Sequence, residues 1–161
     1  MPVNTRALLG LVGWLAVSFA AGGIGSRFLP GAWYESLAKP AWNPPAAVFA
    51  PVWTVLYALM GVAAWLVWRR AGFGGAGPAL SAFVAQLVLN ALWSYLFFGL
   101  RRPDLAFLDV AILWVLILAA AVLFWRADRL ASALLWPYLA WVGFAAVLNF
   151  AVWRLNAGPA A

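Results

Sequence analysis

The 161-residue chain contains no cysteine and no histidine. The first absence excludes a disulfide framework and thiolate chemistry. Together they remove the usual donors to zinc, copper and haem iron, so no metal site and no required cofactor are expected. Acids are nearly as scarce, with only Glu35, Asp104, Asp109 and Asp128 present. Four scattered carboxylates do not make an ordinary hydrolytic centre or a long proton relay. Charged residues amount to 9% of the chain, against roughly 25% in soluble domains.

Apolar residues fill the space left, at 68% of the chain. A soluble domain of this length has too little interior to hide them, so lipid must cover the rest. The net charge of +6 does not point to nucleic acid, because the ten cations stand in ones and twos between apolar runs. That is the pattern of headgroup anchoring at helix ends. Membrane lipid is the expected partner, and no nucleic acid is.

A bilayer core needs about 20 helical residues to cross. Five segments reach that length: about 7–28, 46–68, 79–99, 104–125 and 130–155. Runs this long without period-two alternation exclude a barrel. The expected class is therefore all-α, one domain over residues 1–161, a multi-pass bundle of five transmembrane helices. Arg6 and Ser18-Phe19-Ala20 give the first segment some features of a cleaved leader. The apolar run continues past Ala20, which favours a membrane helix.

The links differ. Arg101-Arg102-Pro103 and Ala127-Asp128-Arg129 are tight and make antiparallel neighbours. The link at 71–78 is glycine-rich and expected to be flexible. The link at 29–45 carries Trp33, Tyr34 and Trp42 with four prolines, more than a simple connection needs, and is expected to form a lid. Pro44 and Pro45 should stiffen entry into the second segment, with Asn43 as its cap. Arg6, Arg69, Arg70, Arg126 and Arg129 lie on one side, and Arg27, Lys39, Arg101, Arg102 and Arg154 on the other. The tally is tied, so it fixes no orientation.

Polar residues inside hydrocarbon are costly and informative. In the third segment Gln86, Asn90 and Ser94 recur every four residues and share a face, with Trp93 and Phe97 beside it. Tyr138, Trp141, Ala145 and Asn149 form a similar stripe in the fifth, and Trp53 and Tyr57 in the second. At 1.5 Å per residue these stripes fall about 8–15 Å below the lid side. Such stripes serve either as interhelical hydrogen-bonding glue or as the lining of a pocket for a flat, mostly apolar ligand. Asp109 lies about 8 Å into the fourth segment and is expected to tie to Arg27 or another polar neighbour.

Residues 33–45, WYESLAKPAWNPP, resemble the loop signature W-Y-x-x-L-x-K-P-x-W-x-P-P of the translocator protein family, also called tryptophan-rich sensory proteins or peripheral benzodiazepine receptors. Gly25-Ser26-Arg27-Phe28, Pro51-Val52-Trp53, Leu56-Tyr57, Gln86-Leu87, Phe97-Phe98-Gly99, Pro137-Tyr138-Leu139-Ala140-Trp141 and Val152-Trp153-Arg154 extend the likeness along nearly the whole chain. The resemblance implies a five-helix homodimer, here of bacterial type. It implies binding of tetrapyrroles such as protoporphyrin IX, and in animal members of sterol and isoquinoline-type ligands. Family pockets lie under the first loop, at positions matching Trp33, Trp42, Trp53, Tyr57, Asn90, Trp93, Trp141 and Ala145. The sterol-recognition pattern fails here, because Phe150 stands where tyrosine is expected.

Transport, buffering or sensing of porphyrin intermediates is the implied function. Metal-free porphyrin needs no axial histidine or cysteine. The alternatives are a light-dependent porphyrin-degrading enzyme using Trp33, Trp42 and Trp141, and a membrane scaffold. An inner membrane suits a helical bundle, while the family also occurs in outer membranes.

Overall fold

The computed structural model describes residues 4–158. It contains α1 (Thr5–Gly25), α2 (Ala32–Ser36), α3 (Ala46–Ser94), α4 (Pro103–Ala127) and α5 (Arg129–Asn156), with a π-helical turn at Tyr95–Gly99 that prolongs α3. There is no strand among the described residues.

At 1.5 Å per residue the 49-residue α3 would run about 74 Å if straight, more than twice a bilayer core. It is not straight. Gly72 takes φ +62° and Ala76 sits at φ −117°, ψ 15°, both outside the helical region. Tyr57 then meets Asn90, and Met60 meets Gln86. Those pairings require the limb 46–71 to double back against the limb 77–94. The positive φ falls on glycine, which has no Cβ to object. Where a flexible loop is expected at 71–78, the chain makes a tight reversal, with the turn geometry at Gly72 and Ala76. The described residues make five long helical passes.

Asn4 opens α1, its side chain accepting from Arg6 N–H at 3.1 Å. Asp128 opens α5 in the same way through Ala131 N–H. The Asn43 cap expected for the third helix does not form. Pro45 is the N-cap residue, and Asn43 Nδ2 instead donates to the Pro44 carbonyl at 3.3 Å. Two successive prolines hold the chain extended there, which swings the Asn43 amide away from the first-turn N–H groups.

The helices are apolar on their outer faces as well as inside. Leu9, Val12, Ile24, Val88, Leu108, Val115 and Val147 are exposed, as lipid contact demands. The interior mixes small and large residues: Ala63, Ala64, Ala120 and Ala121 are fully buried in one cluster with Met60, Phe83 and Phe124. Small residues let helix backbones approach, which is how apolar helices gain contact when lipid competes for the same surfaces. At Gly61 the close approach is to backbone, since a Cβ there would stand 2.9 Å from Leu15 Cα on α1.

Candidate ligand site beneath the loop

The connection at 29–45 is built by local contacts and then fastened to the bundle. The five-residue α2 ends at Ser36, and the Lys39 ammonium closes it by donating to the carbonyls of Tyr34 (2.6 Å) and Leu37 (3.1 Å). The same ammonium lies 4.5 Å from the Tyr34 ring centre. Burial raises the Tyr34 phenol above its ordinary value, an effect partly offset by the Asn43 amide. Asn156 at the end of α5 grips Ala38 twice, accepting from its N–H at 3.0 Å and donating to its C=O at 2.9 Å.

Aromatic rings complete the attachment. Trp33 and Tyr34 pack edge-on against Phe97, and Tyr34 also against Phe98. Trp42 meets Phe144 of α5 at 5.9 Å. The π-helical turn carries Phe97 and Phe98, and its extra residue re-aims side chains that a regular helix would place elsewhere. The loop therefore covers the end of α3 and the last turns of α5.

Below it, the polar stripes of three helical limbs meet. Tyr57 Oη donates to Asn90 Oδ1 at 2.5 Å, Asn90 Nδ2 donates to Tyr138 Oη at 3.0 Å, and Tyr138 Oη donates to Gln86 Oε1 at 2.7 Å. Tyr138 is fully buried. Trp53 stacks on Tyr57 at 5.4 Å and meets Tyr138 edge-on. Nearer the loop, Trp93 Nε1 donates to Asn149 Oδ1 at 2.9 Å, and Asn149 Nδ2 donates to the Pro103 carbonyl at 2.8 Å. Trp93 also stacks on Phe97 at 5.0 Å. These side chains satisfy one another, as the interhelical reading of the stripes requires.

Trp141 is different. Its indole is half-buried between Phe49, at 5.9 Å, and Phe144, at 5.6 Å, with Trp42 on the far side of Phe144. Its Nε1 is buried and has no acceptor among the described residues. Ala145 follows one turn later and is partly accessible. Sequence reasoning placed Trp141, Ala145 and Trp42 together and missed the other walls, Phe49 and Phe144. The signal was present, because Phe49 precedes Trp53 by one helical turn and Phe144 stands next to Ala145.

Three expectations fail or shift. Ser94 leaves the group: its Oγ lies against Gly25 of α1, 3.1 Å from where a Cβ would be. The tie between Asp109 and Arg27 does not form. Arg27 is exposed, while Asp109 is 5% exposed with no ion pair and its Oδ2 without a partner. Similar depth on the loop side and the lack of a local partner suggest that pairing, but depth does not fix the direction a helix face points. Pro44 and Pro45 lead directly into α3, with Pro45 at the N-cap position and no side-chain cap. No group of three carboxylates that could hold a metal occurs among the described residues.

Five apolar passes around hydrogen-bonded polar residues, closed at one end by an aromatic loop, define an integral, multi-pass helical membrane protein. The chain belongs to the TspO/MBR family, whose pattern it matches over residues 7–154. It is 43% identical to protein CrtK of Rhodobacter capsulatus, covering 86% of this chain and 87% of that one. It is 40% identical to the translocator protein of Sus scrofa, covering 91% and 90%. It is 41% identical to the tryptophan-rich sensory protein of Cereibacter sphaeroides, covering 89% of each.

Proposed function

We propose that this chain binds a tetrapyrrole such as protoporphyrin IX beneath the 29–45 loop, and that it transports, buffers or senses porphyrin intermediates. The observation that carries this reading is the Trp141 indole. A buried N–H without an acceptor costs about 1–3 kcal/mol, so native proteins rarely leave one unless something else fills the role. Here it sits among the rings of Phe49 and Phe144, which offer flat faces and edges to a macrocycle. A ligand acceptor would satisfy the indole as the ring system stacks. Trp42, 49% exposed, packs edge-on against Phe144 and adds a further ring to the group.

Charge supports the reading at the mouth. Arg27, Arg101 and Arg154 on the loop side are exposed and form no ion pair among the described residues. They suit porphyrin propionates. The reading includes a homodimer, with the exposed small residues Ser81 and Ala85 of α3 on the contact face. Crosslinking in lipid that yields only monomer would remove that part.

The test is a fluorescence titration of purified protein with protoporphyrin IX and with haem. Trp141→Phe should weaken protoporphyrin binding about five- to tenfold, the value of one lost hydrogen bond. Trp136→Phe, on the exposed side of the same helix, should change it less than twofold. Equal effects would refute the site. Dark titration with no pigment lost supports binding alone, whereas loss of pigment only under illumination would replace it with a degrading enzyme that uses Trp33, Trp42 and Trp141. No interaction at all would leave a scaffold.

A further inference from the structure

Arg6, Arg69, Arg70, Arg126 and Arg129 gather at the bundle end opposite the loop, where α1 begins, α3 reverses and α4 passes to α5. Three of them lie over tryptophan rings: Arg6 over Trp68 at 5.7 Å, Arg69 over Trp65 at 4.4 Å and Arg129 over Trp125 at 5.2 Å. Between the reversal and the α4–α5 junction is a cavity of about 360 Å³, lined by Arg70, Trp125, Arg126, Asp128 and Arg129.

Its charge is unbalanced. Asp128 is the one acid there, 3% exposed and already committed. It caps α5 through Ala131 N–H at 3.0 Å and pairs with Arg70 Nε at 2.8 Å, at an angle short of a hydrogen bond. Arg126 and Arg129 are exposed and form no ion pair among the described residues. On the loop side Lys39 is held by backbone carbonyls and Arg102 forks onto Asp104 at 2.8 and 2.6 Å, while Arg27, Arg101 and Arg154 form no ion pair among the described residues. The equal tally of cations at the two ends therefore hides a difference: Arg126 and Arg129 themselves line the cavity opposite the loop, whereas the cavity of about 510 Å³ between α1 and the second limb of α3 is lined by apolar side chains and Tyr95, with no arginine.

We propose that this cavity is a headgroup site for an anionic phospholipid of the adjacent leaflet. The phosphodiester sits on Arg126 and Arg129, and the acyl chains run down the lipid-facing surface past Trp125 and Leu130, which are 53% and 60% exposed. Basic pockets between membrane helices are suited to such headgroups, and tryptophans at that depth straddle the same boundary. The site is remote from the loop and does not depend on pigment binding.

The test uses the full chain in detergent, titrated with phosphatidylglycerol or phosphatidylcholine of matched acyl chains, with bound lipid counted by native mass spectrometry. Both lipids carry the phosphodiester, but choline cancels its charge. Each arginine near an anionic headgroup is worth about fivefold, so phosphatidylglycerol should be preferred roughly 25-fold. Arg126→Gln/Arg129→Gln should bring the ratio to within about threefold of unity with the helical circular dichroism unchanged. Arg101→Gln/Arg154→Gln, on the loop side, should keep it. Rising ionic strength should erode the wild-type preference, a readout that needs no variant. Equal retention of the two lipids, a preference insensitive to salt, or equal loss in the loop-side variant would overturn the proposal. So would displacement of the lipid by millimolar inorganic phosphate, which would make the cavity a free-anion site.

Discussion

Replacing Tyr138 by phenylalanine removes one oxygen and tests what the buried polar stripes do. The hydroxyl accepts from Asn90 Nδ2 and donates to Gln86 Oε1, at 3.0 and 2.7 Å. Its loss leaves two buried partners on α3 without their bonds, at a fully buried position. In a soluble core that would cost about 1–3 kcal/mol for each orphaned group. In membranes the measured value per interhelical bond averages about 0.6 kcal/mol, with a maximum near 1.7, because the unfolded chain in lipid also finds partners. Two bonds give an expected loss of roughly 1–2 kcal/mol. Tyr57→Phe removes a single bond, to Asn90 Oδ1, and should cost about half as much. The assay is equilibrium unfolding in mixed detergent micelles, followed by near-ultraviolet circular dichroism. Combining Tyr138→Phe with Asn90→Ala should give less than the sum of the single losses, since the two share a bond. A Tyr138→Phe protein at least as stable as Tyr57→Phe, or strict additivity in the cycle, would show that these bonds do not hold α3 to α5.

Asp109→Asn should leave the melting temperature unchanged or raise it. Asp109 is buried without an ion pair, and the substitution removes a potential charge from hydrocarbon. A fall equivalent to about 3–5 kcal/mol in the same assay would instead reveal a buried ionic partner. Gly61→Ala should destabilise by about 1–3 kcal/mol, because the added methyl meets Leu15 backbone at the crossing of α1 and α3. Unchanged thermal unfolding would mean the crossing relaxes freely. Asn156→Ala releases both bonds that fasten Ala38 to α5. Hydrogen exchange over residues 29–45 should quicken severalfold while the helices keep their protection, and uniform exchange across the chain would contradict that role for Asn156.

Much of the architecture was legible in the sequence because hydrocarbon imposes few solutions. A chain with 68% apolar residues and runs of about 20 must form spanning helices. The four-residue spacing of Gln86 and Asn90, and of Tyr57 with Trp53, put the right groups on shared faces, since helical period depends only on sequence position. The family signature in residues 33–45 was legible for the same reason, as a pattern along the chain.

Tertiary structure decided what those groups do. Period and depth could not tell whether a polar stripe binds a ligand or a neighbouring helix. The contacts assign Tyr57, Gln86, Asn90 and Tyr138 to one another and leave Trp141 without an acceptor. Depth placed Asp109 level with Arg27, but the rotation of α4 about its axis turned the carboxyl inward, away from the exposed arginine. The same holds for the cations. Their number at each end is a property of the sequence. Only the packing shows that Lys39 and Arg102 are consumed within the chain while Arg126 and Arg129 flank an open cavity. A helix in lipid is fixed by its own backbone bonds, whereas its partners and its rotation are set by contacts with helices distant in sequence.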